Sequence, residues 1–196
     1  MLDLDVLDDP AAAAVALDPI KSRLLAELGV PGSAASLAPR VGLTRQKVNY
    51  HLRALEEHKL VRPVEERHWG GLTERLMVAT ARSYVVSPSA LGEIGADPAR
   101  NSDRLSASYL IALAARIVCE VGQLWRSARR REKRLATLSI DTVIRFRSPA
   151  ERAAFTNDLA QMITTLAARY HDETGIEGRA HRLVVASYPA PPEAKS

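Results

Sequence analysis

Apolar residues recur at intervals of three and four over the first sixty residues, which is the spacing of helices with one buried side. Each such stretch follows a residue that can cap a helix. In two of them Pro stands in the first turn, where its missing N–H would be unpaired in any case. Gly29 and Gly42 suit the ends of the second and third stretches. The pattern predicts four helices, which begin after Asp9, Asp18, Ser33 and Thr44.

Beyond the fourth helix the pattern changes to the alternation that is typical of β-strands. Residues 61–67 form one candidate strand and residues 76–86 form another, which is long enough to bend or split. Gly70 and Gly71, between the two, suit the tip of a hairpin. The first half is therefore predicted to be a set of helices followed by a β-hairpin.

The second half is predicted to run helix, strand, helix, strand. The predicted elements are a long helix at about 103–133, a strand at 138–147, a helix at 149–170 and a buried strand at 182–188. Ser148 and Glu151 form a capping box at the start of the second helix. Two strands joined by a helix fit a parallel pair, and residues 84–86 are the candidate for a third strand. These elements predict an α+β fold.

Length and composition fit a globular protein, with 196 residues that are 46% hydrophobic and 26% charged. The longest unbroken apolar stretches are far shorter than the roughly 20 residues that span a bilayer, so no membrane partner is expected. The N-terminus is acidic where an export signal would be basic, and the single cysteine, Cys119, cannot form a disulfide within one chain. We expect a cytoplasmic protein.

The net charge of +4 is unevenly distributed along the chain. Residues 1–18 contain five Asp and no Lys or Arg, whereas residues 19–87 contain eleven Lys and Arg against six Asp and Glu. A basic block of this kind favours a polyanionic partner for the middle of the chain.

The fourth predicted helix follows a tight turn and carries polar and basic residues in its first turns. Arg, Gln and Asn are the side chains that make paired hydrogen bonds to the edges of guanine and adenine. The order of helices, turn, helix and hairpin is that of a winged helix-turn-helix, in which the helix after the turn enters the DNA major groove and the hairpin lies alongside. The predicted DNA-binding residues are Thr44, Arg45, Gln46, Lys47, Asn49, Tyr50 and Arg53 of the helix, with Arg67, His68 and Arg75 of the hairpin.

Three stretches carry a resemblance to a known family: DPIKSRLL at 18–25, SLA at 36–38 and TRQKVNYHLRALEEHKLV at 44–61. Residues 18–87 resemble the ArsR-type (arsenic-repressor-like) winged-helix regulators of prokaryotes, although His58 and Lys59 stand where that family often has a Gly before the final Leu. The resemblance covers about a third of the chain. It implies sequence-specific binding of double-stranded DNA by a dimer.

The sequence departs from that family in its sensing residues. Founding members of the family use clusters of Cys or pairs of His and Asp, but one cysteine per chain gives a dimer only two thiolates. We therefore expect no metal site and no cofactor.

The predicted division is a flexible acidic N-terminus at 1–9, a winged helix-turn-helix domain at 10–90, a linker at 91–102, an α/β dimerisation or effector domain at 103–188 and a disordered tail at 189–196. A winged helix that reads a two-fold operator needs a dimer. Whether the C-terminal domain also holds a small apolar effector stays open. The long helix supplies the candidate dimer interface, with Leu110, Leu113, Ile117 and Leu124.

The sequence thus predicts a homodimeric DNA-binding regulator that acts as a repressor on a palindromic operator. The alternative is a winged-helix protein-interaction module without DNA readout, which the polar, basic character of the fourth helix disfavours. An enzyme is disfavoured because the sequence lacks a Gly-rich phosphate loop, a nucleophile elbow and clustered Cys, His and carboxylate residues.

Overall fold

The computed structural model describes residues 1–69, 72–172 and 178–191. The chain divides into two compact units, Met1–Leu135 and Ala136–Ser196. Helices and short sheets are both present, so the predicted α+β class is confirmed. The elements are β1 (Asp5–Leu7), α1 (Pro10–Leu17), α2 (Pro19–Glu27), α3 (Ala34–Val41), α4 (Arg45–Glu57), β2 (Val61–Trp69), β3 (Leu72–Ala79), β4 (Tyr84–Val86), α5 (Ala107–Arg130) and α6 (Pro149–Tyr170).

The first two helices begin at the predicted caps. The Asp9 carboxylate accepts hydrogen bonds from the backbone of the first turn of α1. Asp18 accepts hydrogen bonds from the N–H groups of Ile20 and Lys21, both at 3.0 Å. The hydrogen bond from the Lys21 backbone, assisted by the Lys21 side chain, lowers the pKa of Asp18. A proline occupies the first helical position after each cap, where a backbone N–H would have no partner within the helix.

The tight turn between α3 and α4 is built from local hydrogen bonds and one glycine. Ser33 and Ser36 form a reciprocal capping box at the start of α3. Gly42 ends α3 with φ +70°, a left-handed conformation in which glycine avoids the steric cost of a Cβ. Thr44 then begins α4 by accepting a hydrogen bond from the N–H of Lys47 at 3.3 Å. These residues set the direction in which α4 leaves the turn.

One apolar core holds α2, α3 and α4 together. Leu24 of α2, Leu28 directly after α2, Leu37 of α3, and Val48 and Leu55 of α4 are all completely buried. Each such side chain contributes roughly 1.5–3 kcal/mol on burial. The core therefore fixes which side of α4 faces inward and which side faces solvent.

Strands β2 and β3 pair antiparallel, with an irregularity in register between Pro63 and Glu65. Gly32, before α3, exchanges two backbone hydrogen bonds of 2.9 Å with Met77 of β3, which joins the hairpin to the helices. The predicted tip at Gly70 and Gly71 lies outside the described residues. The long candidate strand at 76–86 splits, since β3 ends at Ala79 and β4 begins at Tyr84.

The N-terminal segment belongs to the fold of the first unit. Strand β1 pairs parallel with β4, and Leu7 is part of the core. The structure thus places a strand within residues 1–9, which were expected to be flexible. The prediction that residues 84–86 join a C-terminal sheet is wrong, because β1 supplies their backbone partner.

Helix α5 lies in the first unit, whereas the sequence predicts a linker at 91–102 and a domain boundary before the helix. Its two buried residues are Ala112 and Gly122, and a Cβ at position 122 would lie 3.1 Å from Cγ1 of Val6. Arg126 donates a hydrogen bond of 2.9 Å to the carbonyl oxygen of Val6, and Arg116 donates one of 3.1 Å to Asp97. These contacts all lie along one side of α5.

Among the described residues, α5 is long and apolar enough to cross a membrane by length and composition alone. Its apolar residues are interrupted by charged ones, so unbroken apolar runs in the sequence do not indicate it. Arg116 and Arg126, which are 31% and 24% exposed, make one side of the helix polar and contact carboxylates of the first unit. That side of α5 therefore packs as a helix of a folded domain does.

In the second unit, Ser148 begins α6 by accepting a hydrogen bond from the N–H of Glu151 at 3.1 Å. The Glu151 carboxylate accepts its backbone hydrogen bond from Arg147 rather than from Ser148, so the predicted capping box is only half formed. The predicted strands at 138–147 and 182–188 do not form in the single chain. A strand needs a ladder of backbone hydrogen bonds to a partner strand, and no ladder among the described residues includes either segment.

Candidate nucleic-acid interface

The helix that follows the turn, α4, has one buried side and one exposed side. Val48, Leu52 and Leu55 anchor it in the core. The side chains that point away from this anchor are polar or basic. The seven helix residues predicted to contact DNA are all exposed, namely Thr44, Arg45, Gln46, Lys47, Asn49, Tyr50 and Arg53.

Gln46, Asn49 and Arg53 lie three and four residues apart, so they form one continuous stripe on the exposed side of α4. Tyr50, beside this stripe, is 70% exposed. Amide and guanidinium groups in such a stripe can make paired hydrogen bonds to base edges. The structure thus brings Gln46 and Asn49, which are predicted to read bases, onto one surface with Arg53.

His51 lies on the other side of Tyr50 and is half-buried. The two rings meet edge to face, with their centroids 5.5 Å apart. Its Nδ1 atom is buried and has no hydrogen-bond partner among the described residues. An unmade hydrogen bond of this kind costs about 1–3 kcal/mol. His51 therefore packs in the helix layer and does not extend the exposed stripe.

In the hairpin, Arg67 is paired with a carboxylate of its own strand. Its guanidinium donates to both oxygens of Glu65, at 2.8 and 3.1 Å. This hydrogen bonding raises the pKa of Arg67 and lowers that of Glu65. The pair is exposed to solvent, so it is weak and Arg67 can exchange Glu65 for a phosphate.

His68 of β2 faces Thr73 of β3, and its Nδ1 lies 3.0 Å from the threonine hydroxyl. Both residues are exposed. This contact joins the two strands close to the hairpin tip and holds the imidazole on the hairpin surface.

Arg75, the third predicted hairpin contact, is held against α4. Its guanidinium donates to both carboxylate oxygens of Glu56, at 3.0 and 2.7 Å, and it also lies 3.3 Å from Glu66. The hydrogen bonds to Glu56 raise the pKa of Arg75. The structure therefore gives Arg75 a positioning role, because it ties the hairpin to the helix that carries the exposed stripe.

A second hydrogen bond between the hairpin and the helices involves the residue of β3 that precedes Arg75. The buried hydroxyl of Ser33, which caps α3, also donates to the carboxylate of Glu74. The sequence pattern identifies Ser33 only as a helix cap, and it does not indicate Glu56 or Glu74. Their partners are distant in sequence, so no local pattern could have identified them.

A shallow open depression separates α4 from β3. Arg45, Asn49 and Arg53 line it from the helix, while Thr73 and Arg75 line it from the strand. The lining is mostly polar and carries more cationic than anionic groups. The depression is continuous with the exposed stripe and enlarges the surface that can face a nucleic acid.

In the described part of the chain, no group of three or more His, Cys, Asp and Glu side chains comes together. Cys119 is half-buried in α5, with its sulfur 3.3 Å from the hydroxyl of Ser87.

Residues 16–64 match the family model of a helix-turn-helix domain. The chain carries a DNA-binding helix-turn-helix domain. The helix-turn-helix match spans α2, α3, α4 and the start of β2, which includes every helix residue predicted to contact DNA. A search of curated proteins found no significant match.

The helix-turn-helix match covers about a quarter of the chain. Most of the hairpin, α5 and the second unit lie outside it. What these parts contribute beside the helix-turn-helix domain is inferred from their own residues below.

Proposed function

We propose that this chain is a cytoplasmic, ArsR-like winged-helix repressor of prokaryotic type, which binds a palindromic operator as a homodimer. The observation that carries the proposal is the exposed polar stripe on α4, the helix that follows the turn. In a helix-turn-helix domain this helix lies in the major groove and its first turns meet the base edges. The proposal includes no catalytic activity.

The side chains divide into two roles. Gln46 and Asn49 carry amides suited to adenine, and Arg45 carries a guanidinium suited to guanine. Lys47 and Arg53 neutralise phosphates, which supplies affinity and sets register without reading sequence.

The hairpin adds contacts beside the groove. Arg67 and His68 lie on its exposed surface near the tip. Arg75 contributes indirectly, through the hydrogen bonds to Glu56 that set the position of the hairpin beside α4. The same arrangement supports the ArsR-like, winged form of the domain.

The dimer is supported by the exposed side of α5. At 3.6 residues per turn, Leu110, Leu113, Ile117 and Leu124 lie opposite the buried Ala112 and the Arg126 that contacts β1. Leu124 is 55% exposed and its neighbour Val121 is 42% exposed, whereas Leu110, Leu113 and Ile117 are half-buried. An exposed apolar patch on a folded protein often marks a site of protein–protein contact.

The test is selection of genomic DNA fragments by the purified full chain, followed by binding assays on the enriched sequence. We expect enrichment of a two-fold symmetric site and affinity that falls steeply with salt. The double variant Gln46→Ala/Asn49→Ala should lose the enrichment. The control Arg152→Ala, an exposed cation on α6, should retain it.

Each part of the proposal can fail separately. No enriched sequence would overturn DNA reading and favour a protein-interaction module. Enrichment of single half-sites would overturn the dimer. A promoter reporter that rises with the protein would overturn the assignment as a repressor.

A further inference from the structure

The described part of the second unit contains no buried residue. Leu138 and Ile140 are 83% and 84% exposed, and Ile144 is 47% exposed. Phe146 is half-buried because its ring packs on Phe155 of α6 at 5.3 Å. A unit with this much exposed apolar surface needs a partner to bury it, since burial of apolar surface is the main force that stabilises folded structure.

Residues 138–147 have the composition of a strand with one apolar side. Leu138, Ile140, Ile144 and Phe146 fall on one side of such a strand, together with Thr142. Residues 136–147 contain neither Pro nor Gly, so nothing in them prevents a continuous hydrogen-bonded ladder. A strand-forming segment that is in no ladder among the described residues is a template for backbone pairing with another chain.

The segment is complementary to itself. When two copies pair antiparallel around Val143, Ile140 stands opposite Phe146 and Asp141 stands opposite Arg145. The apolar pair lies on one side of the ribbon and the opposite charges lie on the other, and the two-fold axis repeats each pair. Cross-strand pairs of both kinds stabilise antiparallel sheets.

Neighbouring registers pair other residues. A shift of the partner by one residue places the apolar side of one strand against the mainly polar side of the other, because side chains alternate between the two sides of a strand. A register centred on Thr142 pairs Leu138 with Phe146 and Ile140 with Ile144, but it leaves Asp141 and Arg145 without an opposite charge directly across the ribbon. The direct pair of Asp141 with Arg145 distinguishes the register centred on Val143.

We propose that residues 138–147 of two copies of this chain form an antiparallel ribbon centred on Val143, and that α6 covers its apolar side through Phe155. The second copy is thus the partner that completes the second unit. The inference rests on the proposed homodimer and deepens it, because it names a segment and a register for the contact. It also accounts for the strand that the sequence predicts and the single chain does not form.

The test is disulfide cross-linking of the full chain, in a Cys119→Ser background that removes the native thiol. In the proposed register Val143 faces its own copy across the axis, with Cα atoms about 4.5–5.5 Å apart, which a disulfide can bridge. We expect Val143→Cys to form cross-linked dimers under mild oxidation, and the dimer band to vanish with reductant.

A matched pair of variants checks the register. Ser139 stands opposite Arg147, so a mixture of Ser139→Cys and Arg147→Cys chains should cross-link. Either variant alone should not cross-link. In the ribbon, the same thiol in the two copies would lie eight residues apart along the strand direction, which is about 27 Å.

Light scattering on the Cys119→Ser chain separates the possible failures. A dimer in which neither Val143→Cys nor the mixed pair cross-links overturns the ribbon and leaves the proposed homodimer standing. A monomer at all concentrations overturns both. Selection of DNA fragments tests the α4 surface independently of either result.

Discussion

Arg75 of β3 donates hydrogen bonds to both carboxylate oxygens of Glu56 in the last turn of α4, at 3.0 and 2.7 Å. The two residues are 19 positions apart in the chain, and their contact joins the hairpin to the helix that carries the polar stripe. Paired hydrogen bonds between guanidinium and carboxylate fix orientation as well as distance. The position of the hairpin beside α4 therefore depends on this pair as well as on the backbone bridge between Gly32 and Met77.

A double-mutant cycle measures this tie. Glu56→Gln and Arg75→Gln should each lower the free energy of unfolding, and the double variant should lose less than the sum of the two. Because both side chains are about a third exposed or more, we expect a coupling energy of only about 0.5–1 kcal/mol, which shrinks as salt is raised. The measurement is urea denaturation at low and high salt, with Glu57→Gln as the control for loss of a neighbouring exposed charge. Strictly additive effects would show that the pair does not couple the hairpin to α4.

The second prediction separates base reading from phosphate contact on α4. Gln46→Ala or Asn49→Ala should reduce discrimination between the enriched site and a mutated site by about 1–3 kcal/mol. Lys47→Ala should weaken binding to both sites alike and reduce the slope of log affinity against log salt by about one. The measurement is a titration of the two DNA duplexes at several salt concentrations. Equal losses on both duplexes for all three variants would contradict base reading by α4.

The local parts of this fold could be predicted from the sequence. The starts of α1, α2, α3 and α4 depend on a capping side chain and the backbone within three residues of it, so sequence alone identified Asp9, Asp18, Ser33 and Thr44. The exposed stripe on α4 follows from the same reasoning, because the positions of Val48, Leu52 and Leu55 decide which side is buried.

The strand partners could not be predicted, because a ladder joins residues that are distant in sequence. Residues 84–86 looked like the third strand of a C-terminal sheet, but they pair with β1 at the N-terminus. Alternation in residues 138–147 predicted a strand, yet alternation says nothing about where its backbone partner lies. The ties at Glu56 and Glu74 were missed for the same reason.

The third prediction concerns the close approach of α5 to β1. Gly122 lies against Val6, so Gly122→Leu should force the two elements apart and lower the free energy of unfolding by about 1–3 kcal/mol. Gln123→Leu, at the neighbouring exposed position, adds a similar side chain without that contact and should have little effect. Chemical denaturation of both variants gives the comparison. Equal stability of the two variants would show that α5 does not need this approach.

The fourth prediction is a pH dependence that arises at Asp18. Its pKa is lower in the folded chain, because the backbone of Lys21 and Ile20 hydrogen-bonds the ionised carboxylate. The stabilisation is therefore present above the unfolded pKa of about 3.9 and is lost as pH falls through the lower folded value. Asp18→Asn keeps a capping side chain but cannot ionise, so the difference in Tm between the two proteins should shrink from pH 5 towards pH 2. Asp158→Asn, on the exposed surface of α6, is the control. A difference that stays constant over this range would contradict the assignment.

The last prediction tests the apolar side of α5 as the dimer interface. Leu124 is 55% exposed in the single chain, so Leu124→Glu should leave the fold intact. In a dimer through this side the same change would bury a carboxylate beside apolar neighbours, which is costly without a partner. We expect the dimer dissociation constant to rise by about tenfold or more, since each 1.4 kcal/mol is a factor of ten, and we expect binding to a palindrome to weaken while binding to a half-site is retained. Gln123→Glu places the same charge one position away, towards the side of α5 that carries Ala112 and Arg126, and should change neither. Sedimentation and DNA titration of the two variants decide the point, and an unchanged dimer in Leu124→Glu would exclude this side of α5 as the interface.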